Sequence, residues 1–253
     1  MGIAFELMKG IPDKSIDLIL CDLPYGTTAC KWDSIIPFEP LWEQYNRVIK
    51  DNGAIVLFSA QPFTTKLINS NIKNYRYNWY WKKNNKSAGI LAKVQPMRCV
   101  EDICVFYKKK PTYNPQGLIK LEKPKVNHPK NDNVYHRKKN PSIQMFTGYP
   151  HHLLEFNTPA GKERQHPTQK PVELLEYLIK TYTNEGDVVL DNCMGAGSTC
   201  VACVKTNRNY IGFELDKKHF DTSRKRIDEV EVKKWFLKMK VWFSMKEGGY
   251  HDD

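Results

Sequence analysis

The residues best suited to chemistry are Asp22-Leu23-Pro24-Tyr25, here called the proline loop, which follow Cys21 and the apolar run over residues 16–20. Pro24 lacks an amide hydrogen and fixes its own φ, so a β-strand must end there. Because a residue before proline is held extended, the Leu23 carbonyl points in one direction. We therefore predict a stiff loop that presents a carboxylate, a carbonyl and an aromatic ring at the carboxyl edge of a sheet, where open α/β sheets bind ligands. On these residues alone, a surface turn with a solvated aspartate is the alternative.

A second stretch that could bind a ligand follows the apolar run Val188-Val-Leu190. It is Asp191-Asn-Cys-Met-Gly-Ala-Gly-Ser-Thr199, here called the glycine turn. Glycines between a strand and a helix let a ligand approach the backbone, and an acid about 20 residues later can bind ribose hydroxyls. Glu214 follows Asp191 by 23 residues. The turn has no third glycine for a dinucleotide and no Gly-Lys-Ser/Thr for a triphosphate, so it favours a cofactor with a ribose and no phosphate requirement.

Strands and helices alternate along the chain, which predicts an α/β fold. Apolar and β-branched runs indicate strands, and apolar residues at a spacing near 3.6 indicate helices. Two polar stretches are predicted to interrupt this pattern: residues 50–53 as the end of a helix, and residues 83–89 as a mobile loop. The predicted strands cover residues 16–21, 54–58, 75–82, 101–108, 188–191 and 209–214, and the predicted helices cover residues 6–14, 41–49, 61–69, 171–179, 200–205 and 217–229.

Positive charge is concentrated in one segment. From Lys108 to Arg164 the chain has twelve Lys or Arg and four Asp or Glu, so most of the net charge of +11 lies there. Residues 109–165 also lose the regular pattern, and aromatic residues are interleaved with the charge. Basic side chains bind phosphates and rings stack on bases, and a loop this long inside a domain is usually functional. We interpret residues 109–165 as a nucleic-acid-contacting insertion; a disordered linker is the alternative.

The composition argues against a secreted or membrane protein. Seven cysteines at irregular spacing favour a reducing compartment, and no stretch approaches the ~18 apolar residues of a membrane span. The N-terminus has no basic-then-apolar signal pattern, so we expect a cytoplasmic protein with no membrane partner. Cys200-x-x-Cys203 is the one close cysteine pair and lies in a helical pattern without a nearby histidine. We expect buried thiols there and no metal site.

Three motifs occur in a characteristic order: Asp22-Leu-Pro-Tyr25, His166-Pro-Thr-Gln-Lys-Pro171 and Asp191-x-x-x-Gly-x-Gly-Ser-Thr199, with the basic segment before the second. Over residues 6–228 the chain resembles the β-class amino-methyltransferases of DNA, a circularly permuted family whose catalytic motif precedes its S-adenosylmethionine motif. The resemblance implies a Rossmann-like, mostly parallel sheet of the class I S-adenosylmethionine-dependent methyltransferase type. It also implies a single methyltransferase domain over residues 1–253, with residues 109–165 as a basic insertion for target recognition.

The resemblance implies a role for individual residues. Asp22 and the Leu23 carbonyl would accept hydrogen bonds from the exocyclic amine of a base rotated out of the duplex, while Pro24 would stiffen the loop and Tyr25 would stack on the base. The S-adenosylmethionine site would be formed by Thr168, Lys170, Asp191, Cys193, Gly195, Gly197 and Glu214. Asp216 is expected to cap the next helix rather than bind the ribose. We expect DNA contacts from Lys108, Lys109, Lys110, Arg137, Lys138 and Lys139.

An aspartate at the first catalytic position is typical of family members that methylate adenine N6. We therefore predict an S-adenosylmethionine-dependent adenine-N6 methyltransferase that flips its base out of double-stranded DNA, in a restriction–modification or phage setting. Cytosine-N4 methylation by the same mechanism is the nearest alternative. A non-catalytic DNA-binding subunit of this fold is disfavoured by the intact Asp22 and Glu214, and a nicotinamide oxidoreductase by the missing third glycine. Dimers occur in the family, so a homodimer is left open.

Overall fold

The computed structural model describes residues 2–27, 33–87, 89, 92–128, 140–161 and 169–247. The chain divides into two compact units, Met1–Tyr113 together with His152–Asp253, and Asn114–His151. The first unit holds a seven-stranded sheet with its helices, and the second holds a two-stranded sheet. In chain order the elements are α1 (Gly2–Lys9), β1 (Ile16–Asp22), α2 (Phe38–Val48), β2 (Ile49–Ser59), α3 (Phe63–Ser70), β3 (Tyr75–Ser87), β4 (Arg98–Phe106), β5 (Ile119–Asn127), β6 (Ser142–Thr147), β7 (Leu153–Glu155), α4 (Val172–Tyr182), β8 (Val188–Asp191), α5 (Ser198–Lys205), β9 (Asn209–Gly212) and α6 (Lys217–Glu247).

The large sheet has the strand order β7-β3-β4-β2-β1-β8-β9. β1 pairs in parallel with β2 and β8, β8 pairs in parallel with β9, and β3 pairs in parallel with β7. β4 is antiparallel to both of its neighbours, β2 and β3. All strands of this sheet except β4 therefore point the same way, and the predicted mostly parallel α/β sheet is confirmed.

The central strand β1 is anchored on both faces. Ile19 and Cys21 belong to a core cluster that includes residues of α2 and α3, whereas Leu18 and Leu20 belong to a cluster that includes residues of α4 and α5. A parallel strand covered on both faces has a continuous apolar sequence, which is why this run was recognisable. Burying one Leu or Ile side chain contributes about 1.5–3 kcal/mol. The strand that leads into the proline loop is therefore held firmly in the core.

The predicted helix end at residues 50–53 is wrong, because these residues belong to β2. The strand starts at Ile49, which pairs with Ile16, and the register between β1 and β2 shifts immediately after this pair. A Cβ on Gly53 would lie 2.8 Å from the carbonyl oxygen of Asp17. Gly53 therefore permits a close backbone contact at an irregular point of the ladder, and does not end a helix.

The loop predicted from residue 83 is also wrong up to Ser87, where β3 ends. This polar stretch continues the ladder with β4, and Ser87 pairs with Arg98. Backbone pairing satisfies the peptide groups of such an extension irrespective of its side chains. The side-chain pattern alone could not reveal it.

Residues 109–165 contain more regular structure than the sequence predicted. β5 and β6 pair in antiparallel fashion inside the smaller unit, with Val126 opposite Ile143, and β7 extends the large sheet. The predicted loss of regular pattern is therefore wrong for these strands, because single apolar residues alternate there with polar ones over short distances. The role of residues 109–165 in target recognition stays a prediction.

Helix α6 is longer than predicted. It continues from Lys217 to Glu247 instead of ending near Glu229. The sequence has no glycine or proline between those limits, so no residue breaks the helix. Within the described part of the chain, no helix combines the length and the apolar character that crossing a bilayer requires.

Candidate active site

The proline loop and the glycine turn follow two neighbouring strands. β1 pairs in parallel with β8, with Leu18 opposite Val189, and the two strands end at Asp22 and Asp191. The carboxyl ends of parallel neighbours meet at one edge of a sheet. The fold thus brings together two stretches that are far apart in the sequence.

Both carboxylate oxygens of Asp22 accept a hydrogen bond. Oδ1 accepts one from the Tyr25 hydroxyl at 2.8 Å, and Oδ2 accepts one from Lys170 Nζ at 2.5 Å. Charge-assisted hydrogen bonds of the second kind are short and strong. The Asp22 side chain nevertheless keeps 27% of its surface exposed. The carboxylate is therefore fixed in orientation and still reachable from solvent.

Lys170 connects Asp22 to β4. Its Nζ lies 3.6 Å from Oε2 of Glu101 and 5.2 Å from the centre of the Phe58 ring, while Oε1 of Glu101 accepts a hydrogen bond from Lys83 at 2.7 Å. Burial would lower the pKa of Lys170, but the carboxylates of Asp22 and Glu101 outweigh it and raise that pKa above its ordinary value. Charges of alternating sign therefore run along this edge of the sheet. The predicted contact of Lys170 with the cofactor stays a prediction.

Tyr25 has one ring face covered. The ring stacks on Phe63, with 5.2 Å between centroids and 26° between planes, and the side chain stays partly exposed. Burial of the hydroxyl, together with the charges of Asp22 and Glu101, raises the pKa of Tyr25 well above its usual range, so the hydroxyl remains a donor. Leu23 buries its side chain in the core. Leu23 can therefore offer the site only its backbone, whose conformation Pro24 restricts.

Asp33, which the sequence analysis did not single out, holds the end of the proline loop. Its two carboxylate oxygens accept the backbone N–H groups of Gly26 and Thr27, each at 2.9 Å. Gly26 has φ +67°, and a Cβ there would lie 2.8 Å from Ile35. The loop after Tyr25 is thus closed by one buried carboxylate and by a glycine in a left-handed conformation.

Asp191 lies in different surroundings. It is 4% exposed, and its Oδ1 accepts the backbone N–H of Cys193 at 3.1 Å. Burial raises the pKa of Asp191 to about 6, although hydrogen bonds from Thr199, Cys193 and Cys21 act in the opposite direction. Burial also raises the pKa of Cys21 well above its usual range, and Cys193 and Asp191 add to this. Cys21 is therefore a neutral core thiol rather than a nucleophile.

The two glycines of the glycine turn serve different purposes. Gly197 has φ +74° directly before α5, and a Cβ there would lie 2.7 Å from the Cβ of Ser223. Gly195 has φ +51°, and a Cβ there would have no described atom within 4 Å. Between them, the Ala196 carbonyl accepts a hydrogen bond from Arg226 of α6. Gly197 is needed for packing, whereas the open side of Gly195 fits the close approach of a ligand to the backbone.

Glu214 faces the glycine turn. Its Oε2 accepts the backbone N–H of Gly195 at 2.9 Å, and its Oε1 accepts the backbone N–H of Asp216 at 2.8 Å. Asp216 accepts the backbone N–H of His219 at 3.0 Å, and this bond lowers the pKa of Asp216. The helix cap expected of Asp216 is therefore present, and Glu214 is the acid beside the turn.

The predicted DNA-contacting residues lie apart from this site or outside the described residues. Asp22 is opposite Phe58 of β2, which is opposite Ile103 of β4. Because β4 is antiparallel, residues 108–110 after its end lie toward the opposite edge of the sheet from Asp22. Lys108 there donates to the Asn46 carbonyl at 3.4 Å, Lys109 pairs with Asp51 at 2.8 Å, and Lys110 is exposed. Arg137, Lys138, Lys139 and the cofactor residue Thr168 lie outside the described residues.

Sequence reasoning missed Phe63, Asp33, Glu101 and Arg226. Phe63 and Asp33 lie close to the site only because the fold brings them there. Glu101 gave only a weak signal: it stands with Asp102 between the apolar residues of β4, and a buried acid usually has a partner. Across the described ranges, no group of three His, Cys, Asp or Glu residues could hold a metal ion.

The known proteins that this chain resembles are methyltransferases. The family model described as DNA methylase matches residues 16–225, a range that includes the proline loop and the glycine turn. Type II methyltransferase M2.DpnII of Streptococcus pneumoniae is 44% identical over 254 residues, covering 88% of this chain and 87% of that protein. DNA adenine methyltransferase YhdJ of Escherichia coli strain K12 is 27% identical over 243 residues, covering 90% and 81%. The crystal structure of the M1.HpyAVI–SAM complex is 25% identical with a TM-score of 0.59, covering 88% of this chain and 96% of that chain.

Proposed function

Because the chain belongs to the DNA methylase family, we propose that it transfers a methyl group from S-adenosylmethionine to N6 of adenine in double-stranded DNA. The amino-methyltransferase family predicted from the three motifs is confirmed, and the chain is an S-adenosylmethionine-dependent DNA methyltransferase. The adenine target is supported by the similarity to YhdJ, a DNA adenine methyltransferase. The observation that carries the proposal is the pairing of β1 with β8, which sets the proline loop beside the glycine turn.

The proline loop provides the acceptors for the target amine. The lone pair of an aromatic amine is delocalised into its ring, so the nitrogen is a poor nucleophile. Asp22 and the Leu23 carbonyl accept its two hydrogens, which favours the pyramidal nitrogen that can attack. Fixed dipoles that match a developing charge are usually the largest contribution to catalysis. Asp22 is suited to this because Tyr25 and Lys170 fix its orientation before the amine enters.

Tyr25 provides the stacking surface for the flipped base. Phe63 supports one face of its ring, which leaves the partly exposed ring to present its other face to the base. Stacking of a base on an aromatic side chain is worth about 1–3 kcal/mol, and extrusion of a base costs a few kcal/mol. The stack therefore offsets much of the cost of holding the base in the site.

The glycine turn and Glu214 hold the methyl donor. S-adenosylmethionine supplies a methyl group on a positively charged sulfur, which a nucleophile can take in one displacement. Gly195 lets it lie against the backbone, and Glu214 offers acceptors for the ribose hydroxyls at the same place. Cys193 is partly exposed in the turn, and its backbone N–H donates a hydrogen bond to Asp191, which fixes the turn. Alignment of donor and amine can then supply several kcal/mol of the barrier reduction.

DNA must approach the carboxyl edge of the sheet, where the proline loop is. Beyond the level of Asp22, the exposed cations of the β3–β4 hairpin include Lys93 and Arg98. These residues join Arg137–Lys139 as candidates for phosphate contacts, whereas the contact predicted for Lys108–Lys110 would lie toward the opposite edge of the sheet. Recognition of the target sequence by residues 109–165, a homodimer and a cytoplasmic location also stay predictions, of which the dimer is tested by light scattering.

The proposal is tested with labelled S-adenosylmethionine and unmethylated duplex DNA. We expect label in the DNA, and we expect S-adenosylhomocysteine, but not NAD, to raise the melting temperature of the protein. Stabilisation by NAD alone would reject the methyltransferase. Binding of DNA without label transfer would instead indicate a non-catalytic subunit.

A further inference from the structure

One oxygen of Glu101 is buried without a hydrogen-bond donor. Among the described residues, nothing donates to Oε2, and the nearest ammonium is Lys170 Nζ at 3.6 Å. The other oxygen, Oε1, accepts a hydrogen bond from Lys83 at 2.7 Å. A buried charged acceptor without a donor is costly. Glu101 therefore has an acceptor that faces Lys170 and lies just beyond hydrogen-bonding distance.

Lys170, for its part, is bound to the carboxylate that the proposed function assigns to the target amine. Its Nζ is 2.5 Å from Oδ2 of Asp22, the shortest contact that Asp22 makes in the described chain, and its side chain is 9% exposed. When the amine attacks, its nitrogen gains positive charge beside Asp22. A second positive charge in direct contact with the same carboxylate opposes that change, so Asp22 serves the amine better when the ammonium shifts toward Glu101.

We propose that Lys170 is a placeholder whose ammonium moves from Asp22 to Glu101 when the target amine enters, so that Glu101 is a positioning residue that acts through Lys170. The inference rests on the proposed function of Asp22. The move is short, because closing 3.6 Å to an ordinary hydrogen-bond length takes about 1 Å. Lys83 keeps its own bond to Glu101 throughout. No bond is made or broken covalently, and the ammonium keeps its proton.

The surroundings of Lys170 favour a move between two carboxylates over release to solvent. The Phe58 ring lies under the ammonium at 5.2 Å and tolerates a cation at either position. Burial would lower the pKa of Lys170 while both carboxylates raise it, so the group stays charged in both places. A purely structural cluster of ions is the competing explanation, and it predicts a loss of stability without a selective loss of rate.

The test compares Glu101→Gln with Glu176→Gln. Glu176 of α4 pairs with Lys205 at 2.6 Å, and its side chain is 18% exposed, as is that of Glu101. Glu176→Gln therefore removes an ion pair whose carboxylate is equally buried and that involves no residue of the proposed site. We expect Glu101→Gln to lower the single-turnover rate of methyl transfer roughly 10- to 100-fold, less than the roughly 10²- to 10³-fold cost of removing a group that touches the transition state. The affinities for S-adenosylhomocysteine and duplex DNA should stay within about twofold, and Glu176→Gln should match wild type in rate.

A double-mutant cycle with Lys170→Met tests the route. If Glu101 acts through Lys170, then adding Glu101→Gln to Lys170→Met should change the rate by less than about threefold. The proposal would be overturned if Glu101→Gln lowered the rate by the same factor in wild type and in Lys170→Met. It would also be overturned if Glu101→Gln alone left the rate unchanged or weakened only cofactor binding. Glu101→Asp keeps the charge and should recover part of the rate. If wild type itself transfers no methyl group, the proposed function fails, which is a different outcome.

Discussion

Asp22 and Asp191 end neighbouring parallel strands, yet their carboxylates lie in opposite surroundings. The Asp22 side chain is 27% exposed and accepts hydrogen bonds from a phenol and an ammonium. Asp191 is 4% exposed and accepts a hydrogen bond from a backbone amide, with the neutral thiol of Cys21 close by. The same residue type at equivalent positions is kept reachable in one strand and enclosed in the other.

The difference matches what each strand end must bind. The proline loop presents side chains, and distant side chains hold it: Lys170 on Asp22, Phe63 on Tyr25 and Asp33 on the following backbone. The glycine turn presents backbone, and Asp191 helps to set its shape. A flipped base is bound by fixed polar atoms and a ring, whereas a cofactor that lies against the chain requires an open backbone. We therefore expect the two aspartates to have different functions.

The largest effect is expected from Asp22→Ala. We expect methyl transfer to fall by at least roughly 10³-fold, about 4 kcal/mol in the barrier, because the amine loses its charged acceptor. Binding of S-adenosylhomocysteine, measured by calorimetry, should survive. If cofactor binding is lost as well, Asp22 has a structural role and does not hold the amine.

Asp191→Asn should act on stability. The pKa of Asp191 is raised from 3.8 to about 6, so the folded protein binds this proton more tightly than the unfolded chain does. That contribution is complete below the unfolded pKa and is lost as pH rises through about 6. From pH 4 to pH 7, the free energy of unfolding of wild type should therefore fall by about 2–3 kcal/mol relative to that of Asp191→Asn.

Urea denaturation at several pH values measures this difference. Asp13→Asn is the matched control, since it removes a carboxylate whose side chain is 72% exposed. A difference between wild type and Asp191→Asn that does not change with pH would mean that Asp191 is not the proton-binding group.

Glu214→Gln should act on cofactor affinity alone. Replacing the charged acceptor beside Gly195 should weaken S-adenosylhomocysteine binding about 10- to 100-fold, the loss expected for hydrogen bonds to a charged group. The rate at saturating cofactor should change little. Asp216→Asn is the control, because Asn caps a helix as well as Asp does. A larger loss of cofactor affinity in Asp216→Asn than in Glu214→Gln would mean that Asp216, and not Glu214, binds the ribose.

The smallest effect is expected at the opposite edge of the sheet. Lys109 is already paired with Asp51, and the bond to Lys109 is the main reason that the pKa of Asp51 is lowered to about 2. We expect Lys109→Ala to change duplex affinity less than twofold, whereas Arg98→Ala on the β3–β4 hairpin should weaken it and reduce the salt slope by about one. A larger loss of duplex affinity from Lys109→Ala than from Arg98→Ala would mean that the basic segment, and not the β3–β4 hairpin, makes the main phosphate contacts.

The strand ends could be predicted because their signals are local. Apolar runs, a proline and two glycines lie within a few residues of Asp22 and Asp191, and they specify where a strand must stop. The predicted boundaries were wrong where strand pairing decides them. Gly53 lies in a strand because β1 runs beside it, although the three residues before Gly53 are polar. The strand propensity of a residue does not indicate which strand lies beside it.

The supports of the site could not be predicted, because they come from distant parts of the chain. Lys170 was recognised only by its motif, and nothing in the sequence indicated that its ammonium lies on Asp22. Asp33 and Glu101 belong to no motif, and only the fold brings them to the edge that holds Asp22. Sequence therefore indicated the candidate catalytic groups, whereas the structure revealed which side chains hold them.

The most direct measurement is mass analysis of the nucleosides released from duplex DNA after reaction with labelled S-adenosylmethionine. We predict labelled N6-methyladenine with wild type and with Asp191→Asn, and none with Asp22→Ala. Labelled N4-methylcytosine, or undiminished N6-methyladenine from Asp22→Ala, would contradict the assignment of Asp22 as the residue that holds the adenine amine.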